Sequence, residues 1–335
     1  MRKALFQDLI DPDTKKVKCH LCPYRCVIAD GKQGQCKVRL NKDGILYSLI
    51  YNHHTSVGMD PIEKKPLYHF HPGTEILSFG TFGCNFSCRF CQNWEISQSA
   101  FKHELTRAIT PDKAAELAHN YHSLGGAYTY NEPLINYEWI YDTAQRIHEQ
   151  GLANVLVTNG YINEEPLEKL IPFIDAANID VKSFNDSFYR RLCGGSIGPV
   201  LRTVEVMIKR GRHVELTMLI IPGENDSTDE FTDMVDWISS INRHIPLHLS
   251  RFFPQYQLQK QPTSLALLEK FRDIAVKKLD YVYIGNVWEK KENNTYCANR
   301  SCNAILIKRT GYRTVLVGLD HSRCTACGTE NNIRV

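Results

Sequence analysis

The chain has 335 residues, 43% hydrophobic and 23% charged, which is enough apolar material for two or three domains with a sizeable core and excludes general disorder. Its 40 basic and 37 acidic residues leave a formal charge of +3, too small to make nucleic acid or an anionic membrane the dominant partner by charge alone. No run approaches the roughly 20 apolar residues of a bilayer span, and Met1 to Asp8 lacks a signal-peptide core, so a soluble cytoplasmic protein is expected.

In chain order, residues 1–72 form a head with four cysteines, a Gly31-Lys32-Gln33-Gly34 turn and short apolar stretches such as Ile45-Leu46-Tyr47. It reads as a small metal-stapled β unit. Residues 73–288 then alternate strand-length apolar runs with segments of helical period, which argues for β/α units and a parallel sheet. The runs are Glu75–Gly80, Gly126–Tyr130, Asn154–Thr158, Ala176–Val181, His213–Leu219, Pro246–Ser250 and Tyr281–Ile284. Thr110-Pro111 caps a helix predicted to run through Leu124 to a stop at Gly125, and 228–241 and 263–279 are similar. Six or seven units fit an α/β fold with an open, partial barrel better than an eight-unit one, and barrels carry ligands at the carboxyl ends of their strands. The segment Glu289 to Asn294 reads as a linker into a tail, 295–335, in which six basic residues face two acidic ones.

Eleven of the twelve cysteines fall into three tight groups. In a long chain without an export signal, such grouping points to metal rather than disulfides. Cys19, Cys22, Cys26 and Cys36 make a four-ligand set that suits zinc or an auxiliary [4Fe–4S] cluster. Cys297, Cys302, Cys324 and Cys327 pair two short turns across a hairpin, as in a zinc ribbon, and read first as structural zinc. Cys84, Cys88 and Cys91 number only three, which leaves a coordination position open for chemistry. Their loop leaves the carboxyl end of the first predicted strand, and the spacing suits one face of a cubane [4Fe–4S] cluster with its fourth iron free. The plainer alternative is a three-cysteine zinc site completed by a distant residue. Cys193 reads as a buried or turn thiol. His53, His54, His69 and His71 alternate with apolar residues and read as packing and hydrogen bonding. Neither a dinucleotide nor a phosphate-loop fingerprint is present.

The run Cys84-Asn85-Phe86-Ser87-Cys88-Arg89-Phe90-Cys91 resembles the motif of the radical S-adenosylmethionine (SAM) superfamily, with Phe90 as the aromatic before the last cysteine. The resemblance implies a [4Fe–4S] cluster whose open iron chelates SAM, reductive cleavage to a 5′-deoxyadenosyl radical, and hydrogen abstraction from a substrate. It also implies an electron donor such as flavodoxin or ferredoxin. Thr129-Tyr130-Asn131-Glu132-Pro133 resembles the Gly-Gly-Glu-Pro motif of activating enzymes, with Tyr130 and Asn131 in place of the glycines. Thr158-Asn159-Gly160 and Asp180-Val181-Lys182 resemble motifs of pyruvate formate-lyase activating enzymes that lie beside SAM. The family's cation-ligating Asp is Val157 here, and Ile221-Pro222-Gly223-Glu224-Asn225-Asp226 resembles its Pro-Gly turn. Phe90, Asn131, Glu132, Thr158, Asn159, Asp180, Lys182 and Arg251 are therefore the expected SAM-contact residues. Across its length, through stretches such as Cys19-His20-Leu21-Cys22-Pro23, Asp60 to Phe70 and Cys88 to Ser97, the chain is similar to the radical SAM enzyme of the AmmeMemoRadiSam system. That family implies Memo-like and AMMECR1-like partners without naming a substrate. Activation of a glycyl-radical enzyme is one alternative, and a non-catalytic zinc-binding adaptor for RNA or protein is another.

Overall fold

The computed structural model describes residues 1–287 and 293–335, so most of the linker expected over Glu289 to Asn294 lies outside the described residues. All seven apolar runs become strands: β1 (Glu75–Gly80), β2 (Gly125–Tyr128), β3 (Ala153–Thr158), β4 (Ala176–Asp180), β5 (His213–Ile220), β6 (Leu247–Arg251) and β7 (Val282–Gly285). They lie side by side in chain order and pair in parallel, with Leu156 opposite Ala177 and Leu216 opposite Leu247. Residues buried on both faces of a parallel sheet read as unbroken apolar runs, which is why these strands were legible. An antiparallel strand, Ser56–Pro61, closes the free edge of β1. The sheet is therefore eight-stranded, with Ser56–Pro61 at one end and β7 at the other.

Among the described residues, six longer helices follow the strands: α1 (Pro111–Asn120), α2 (Tyr137–Glu149), α3 (Glu164–Leu170), α4 (Gly198–Lys209), α5 (Thr228–Asn242) and α6 (Leu265–Ala275). Thr110 caps α1 by accepting the Lys113 N–H at 3.2 Å, as its position before Pro111 suggests. The helix stops at Asn120 rather than continuing to Leu124, because His122 takes the left-handed conformation at φ 51° and such a residue terminates a helix. Gly125 accordingly opens β2 instead of ending α1. No helix among the described residues is long and apolar enough to cross a membrane.

One face of the sheet, including Leu77, Phe79, Leu156, Ile179 and Leu216, packs with the helices in the main core. The opposite face, including Ile76, Ala127, Val155 and Ala176, packs on Ile62, Leu67 and Phe70 from the segment preceding β1. Glu215 of β5 fastens that segment from below: its carboxylate accepts the Tyr68 and His69 N–H groups at 3.0 and 2.7 Å and meets His213 and His248 at 3.0 and 2.7 Å. Burial alone would raise this carboxyl, but the two histidines hold it well below the usual range. His69 spans the Asn332 carbonyl at 2.8 Å and the Tyr283 hydroxyl at 2.6 Å, a packing and hydrogen-bonding role.

The head holds two three-stranded antiparallel sheets, Gln7–Asp11 with Lys16–Cys19 and Val27–Ile28, and Arg2–Lys3 with Ile45–Ser48 and Arg39–Lys42. Arg39 fixes it to α2, placing Nη2 2.7 Å from both Glu138 oxygens in a pair whose side chains are 2% exposed. The tail forms a three-stranded sheet, Thr295–Tyr296, Ile305–Thr310 and Arg313–Leu316, over its own small core. It docks through Arg334, whose N–H donates to the His69 carbonyl at 2.8 Å and whose carbonyl accepts the His71 N–H at 2.7 Å.

Removing one partner of a buried ion pair strands the other charge. Arg39→Ala should therefore cost about 3–5 kcal/mol of stability in chemical unfolding. Replacing both Arg39 and Glu138 with Leu should recover part of that loss; no recovery would show that the pair acts mainly by packing.

Candidate functional site

The carboxyl ends of the strands face one cavity of about 420 Å³, within the size range of cofactor pockets. Its wall takes Cys84, Cys88, Phe90 and Cys91 from the loop after β1, Thr129 to Glu132 after β2, and Val157 to Asn159 at the end of β3. Asp180 and Lys182 enter from β4, Thr217 and Leu219 from β5, and Ser250 from β6.

The cysteine loop is held in place from several sides. Ser87 and Arg89 donate their N–H groups to the carbonyls of Cys193 and Leu192 at 2.8 and 2.9 Å. Gly195 lets that segment approach, since a Cβ there would lie 2.3 Å from the Phe86 ring. Asn131 accepts the Thr81 N–H at 3.0 Å and donates to the Gly83 carbonyl at 2.8 Å. It thus positions the chain entering Cys84 as well as lining the cavity. Asn159 donates to Asn85 Oδ1 at 2.9 Å and stands 3.8 Å from Cys84 Sγ.

Three thiols on one clamped loop beside an open cavity suit a cluster with one free iron better than a closed ion site. Their sulfurs do not form a single-ion set; among the described residues, the set with all ligand atoms within 4.8 Å of one another is the tail's. The donor set fits a [4Fe–4S] group. Burial and nearby Glu132 push the Cys84 thiol well above its ordinary value, so loading such a site must release protons. Cys193 brings a fourth thiol close: its hydrogen bond, opposed by burial and aided by Lys182, holds Cys88 below its usual range, while burial raises Cys193.

Glu132 is buried and accepts the Leu134 and Asn159 N–H groups at 2.9 and 2.8 Å and the Thr158 hydroxyl at 2.7 Å. Burial outweighs these donors and pushes its carboxyl up to about 7. Lys182 pairs with Asp180 at 2.8 Å. Burial opposes its charge, but Asp180, Cys88 and Cys193 outweigh it and raise the ammonium well above its ordinary value. Asn225, in the Pro-Gly turn, fixes that lysine's backbone by donating to its carbonyl at 2.7 Å. Phe90 packs 5.9 Å from Phe188.

Arg251 is the expected contact residue that the fold does not bring to this wall. Its Nε donates to the Thr263 carbonyl at 2.8 Å and its guanidinium lies 4.9 Å from the Phe253 ring. Ser250 lines the cavity instead, since neighbouring residues on a strand face opposite ways.

Lys64 and Lys65, which the sequence analysis did not single out, also line the cavity. Asp60 pairs with them at 2.7 and 2.6 Å and accepts the Tyr130 hydroxyl. Burial brings the Lys65 ammonium down to about 8, against the pull of Asp60. Tyr130 sits at φ 75°, in the left-handed region that favours glycine, which explains how this position accommodates a glycine in the motif it resembles. The signal for these residues was the charged run Glu63-Lys64-Lys65 interrupting an otherwise buried segment.

A β/α sheet with a three-cysteine loop at the carboxyl end of its first strand defines a class, and the chain's sequence matches the radical SAM superfamily over residues 79–238. That stretch is a radical SAM domain. The uncharacterized protein MJ0808 of Methanocaldococcus jannaschii is 43% identical over 338 residues, covering 99% of both chains. Pyruvate formate-lyase 1-activating enzyme of Escherichia coli strain K12 is 23% identical over 162 residues, 47% of this chain and 65% of that one. The structure of Streptococcus suis SuiB bound to S-adenosylmethionine shares the fold, with TM-score 0.51 at 13% identity, over 62% of this chain and 49% of that one.

A carboxyl whose folded pKa is raised contributes stability that is complete below its unfolded value and lost as pH rises through its folded value. For Glu132 that window runs from 4.5 to about 7. Between pH 5 and 8 the metal-free protein should lose up to about 3 kcal/mol of unfolding free energy relative to Glu132→Gln. Parallel urea profiles at the two pH values would contradict a buried, protonated Glu132.

Proposed function

We propose that the protein is an enzyme that cleaves SAM reductively at a [4Fe–4S] cluster held by Cys84, Cys88 and Cys91. The convergence of those thiols with Glu132, Thr158, Asn159, Asp180 and Lys182 on one cavity carries this reading. When bound, the cluster and SAM supply a 5′-deoxyadenosyl radical able to take a hydrogen atom from a substrate. The chain's own residues bind and orient. Glu132, ionised above about pH 7, suits the SAM ammonium, and Lys182 suits its carboxylate. Phe90 keeps water from the loop, and Asn131 and Asn159 hold the loop against the strand ends.

Six strands facing one cavity support a partial (β/α)6-type barrel. We divide the chain into a head of 1–72, a core of 73–288 and a zinc-ribbon-like tail of 295–335. In the tail, Cys297 and Cys327 sulfurs lie 3.6 Å apart and those of Cys302 and Cys324 3.8 Å apart, spacing that suits zinc. The hydroxyl and N–H of Thr329 bring Cys327 down to about 6, which favours the ligating thiolate. Membership of the AmmeMemoRadiSam family, with Memo-like and AMMECR1-like partners, a flavodoxin or ferredoxin donor and a cytoplasmic location, belongs to the same reading. Glycyl-radical activation is the second reading, supported by similarity to activating enzymes.

Anaerobically reconstituted protein given dithionite and SAM should release 5′-deoxyadenosine, and Cys88→Ala should release none. Lys182→Ala should weaken SAM binding about tenfold, measured by calorimetry, from loss of a charge-assisted contact. Release by Cys88→Ala would end the assignment, and unchanged affinity would remove Lys182 from the SAM wall. Deuterium passing from a candidate substrate into 5′-deoxyadenosine would identify that substrate, whereas a stable organic radical on a co-incubated partner would favour the activase reading.

A further inference from the structure

The head and the tail each gather four cysteines, but at different spacing. Four thiolates bound to one zinc at about 2.3 Å lie about 3.8 Å from one another. The tail sulfurs match that, and among the described residues they are the one group of three or more ligating side chains with all ligand atoms within 4.8 Å. Cys19, Cys22, Cys26 and Cys36 are set wider. They nevertheless line a single small cavity of about 20 Å³.

A cubane cluster holds its four cysteine sulfurs about 6 Å apart and fills the space between them. With four thiolates it is anionic, and its potential follows the N–H donors and charges around it. The head cavity is mostly aliphatic elsewhere, with one cation in its wall: Arg39, 1% exposed. Arg39 Nη2 is engaged by Glu138, while its buried Nε has no hydrogen-bond partner. A guanidinium N–H left over beside four thiols suits a sulfur acceptor.

The cavity also adjoins the reactive loop. A Cβ built on Gly83 would lie 2.6 Å from the Cys36 carbonyl oxygen, so the two backbones touch one residue before Cys84. Tyr24, two residues after Cys22, has its ring 5.5 Å from that of Tyr161, which in turn lies 4.8 Å from Phe86 in the loop.

We propose that Cys19, Cys22, Cys26 and Cys36 hold an auxiliary [4Fe–4S] cluster that relays single electrons from a low-potential one-electron donor protein to the Cys84–Cys88–Cys91 site. The relay rests on the proposed function; the head cluster itself does not. One electron takes the head cluster from its 2+ to its 1+ state and then leaves for the loop cluster. No bond or proton is exchanged.

The test is metal content in anaerobically purified protein. The triple variant Cys84→Ala, Cys88→Ala, Cys91→Ala should keep about four iron atoms and one zinc per chain, and adding Cys22→Ala should remove the iron. Two zincs without iron in the triple variant would overturn the head cluster. Should that variant not fold, the wild type decides: about eight irons with one zinc supports the proposal, and about four irons with two zincs overturns it. Iron in the triple variant equal to that in the wild type would sink the loop reading and leave the head cluster standing. In the reduced wild type, spin coupling between neighbouring clusters should broaden the electron paramagnetic resonance signal relative to the triple variant. Unbroadened, additive signals would overturn the relay.

Discussion

The proposed chemistry asks that three thiols be held on a short loop without a fourth closing their coordination shell, and the packing around that loop answers the constraint. A loop of this kind has little structure of its own, so its shape comes from what surrounds it. Asn131 and Asn159 hold it from the strand ends, and the segment ending in Gly195 holds it from beneath through Ser87 and Arg89. The Asn131, Ser87 and Arg89 contacts fix backbone, and the Asn159 contact fixes the Asn85 side chain next to Cys84. Hydrogen bonds to the sulfurs are one of the levers, with net charge and solvent exposure, that a protein has on a cluster's potential.

Charge in the cavity is arranged by position along the sheet. A carboxyl inclined to neutrality, Glu132, lies after β2, and an ammonium held firmly charged, Lys182, lies after β4. Two groups with environments of opposite effect can face opposite ends of an amino acid zwitterion. A second charged wall, built by Lys64 and Lys65 and backed by Asp60, lies on the side nearest the edge strand. That wall continues into the segment Ile62 to Phe70, whose apolar side chains fill the inner face of the sheet. Filling the interior below the cavity and shaping the cavity's rim are thus done by one stretch of chain.

The head and tail are attached by different physics. A fully buried Arg39–Glu138 pair and a continuous apolar cluster join the head to the core, so its cysteines are held at a fixed place relative to the loop. The tail keeps a separate small core around its cysteines and is tied mainly by backbone hydrogen bonds at Arg334 and by Arg309 reaching the Tyr68 carbonyl at 2.5 Å.

The sequence by itself determined the seven strands, because parallel strands covered on both faces leave unbroken apolar runs, and the reactive loop, because cysteine spacing survives in one dimension. It also carried Glu132, Thr158, Asn159, Asp180 and Lys182, each lying at a strand end that could be counted. It misjudged the end of α1, where a left-handed His122 wins over the apolar period, and it placed Arg251 on the cavity side of a strand that presents Ser250. Only the tertiary structure decided that Cys193 meets Cys88, that Lys64 and Lys65, paired with Asp60, reach the cavity, and that Cys36 touches Gly83. Those contacts join residues far apart in the chain, and neither periodicity nor spacing encodes the closure of such distances.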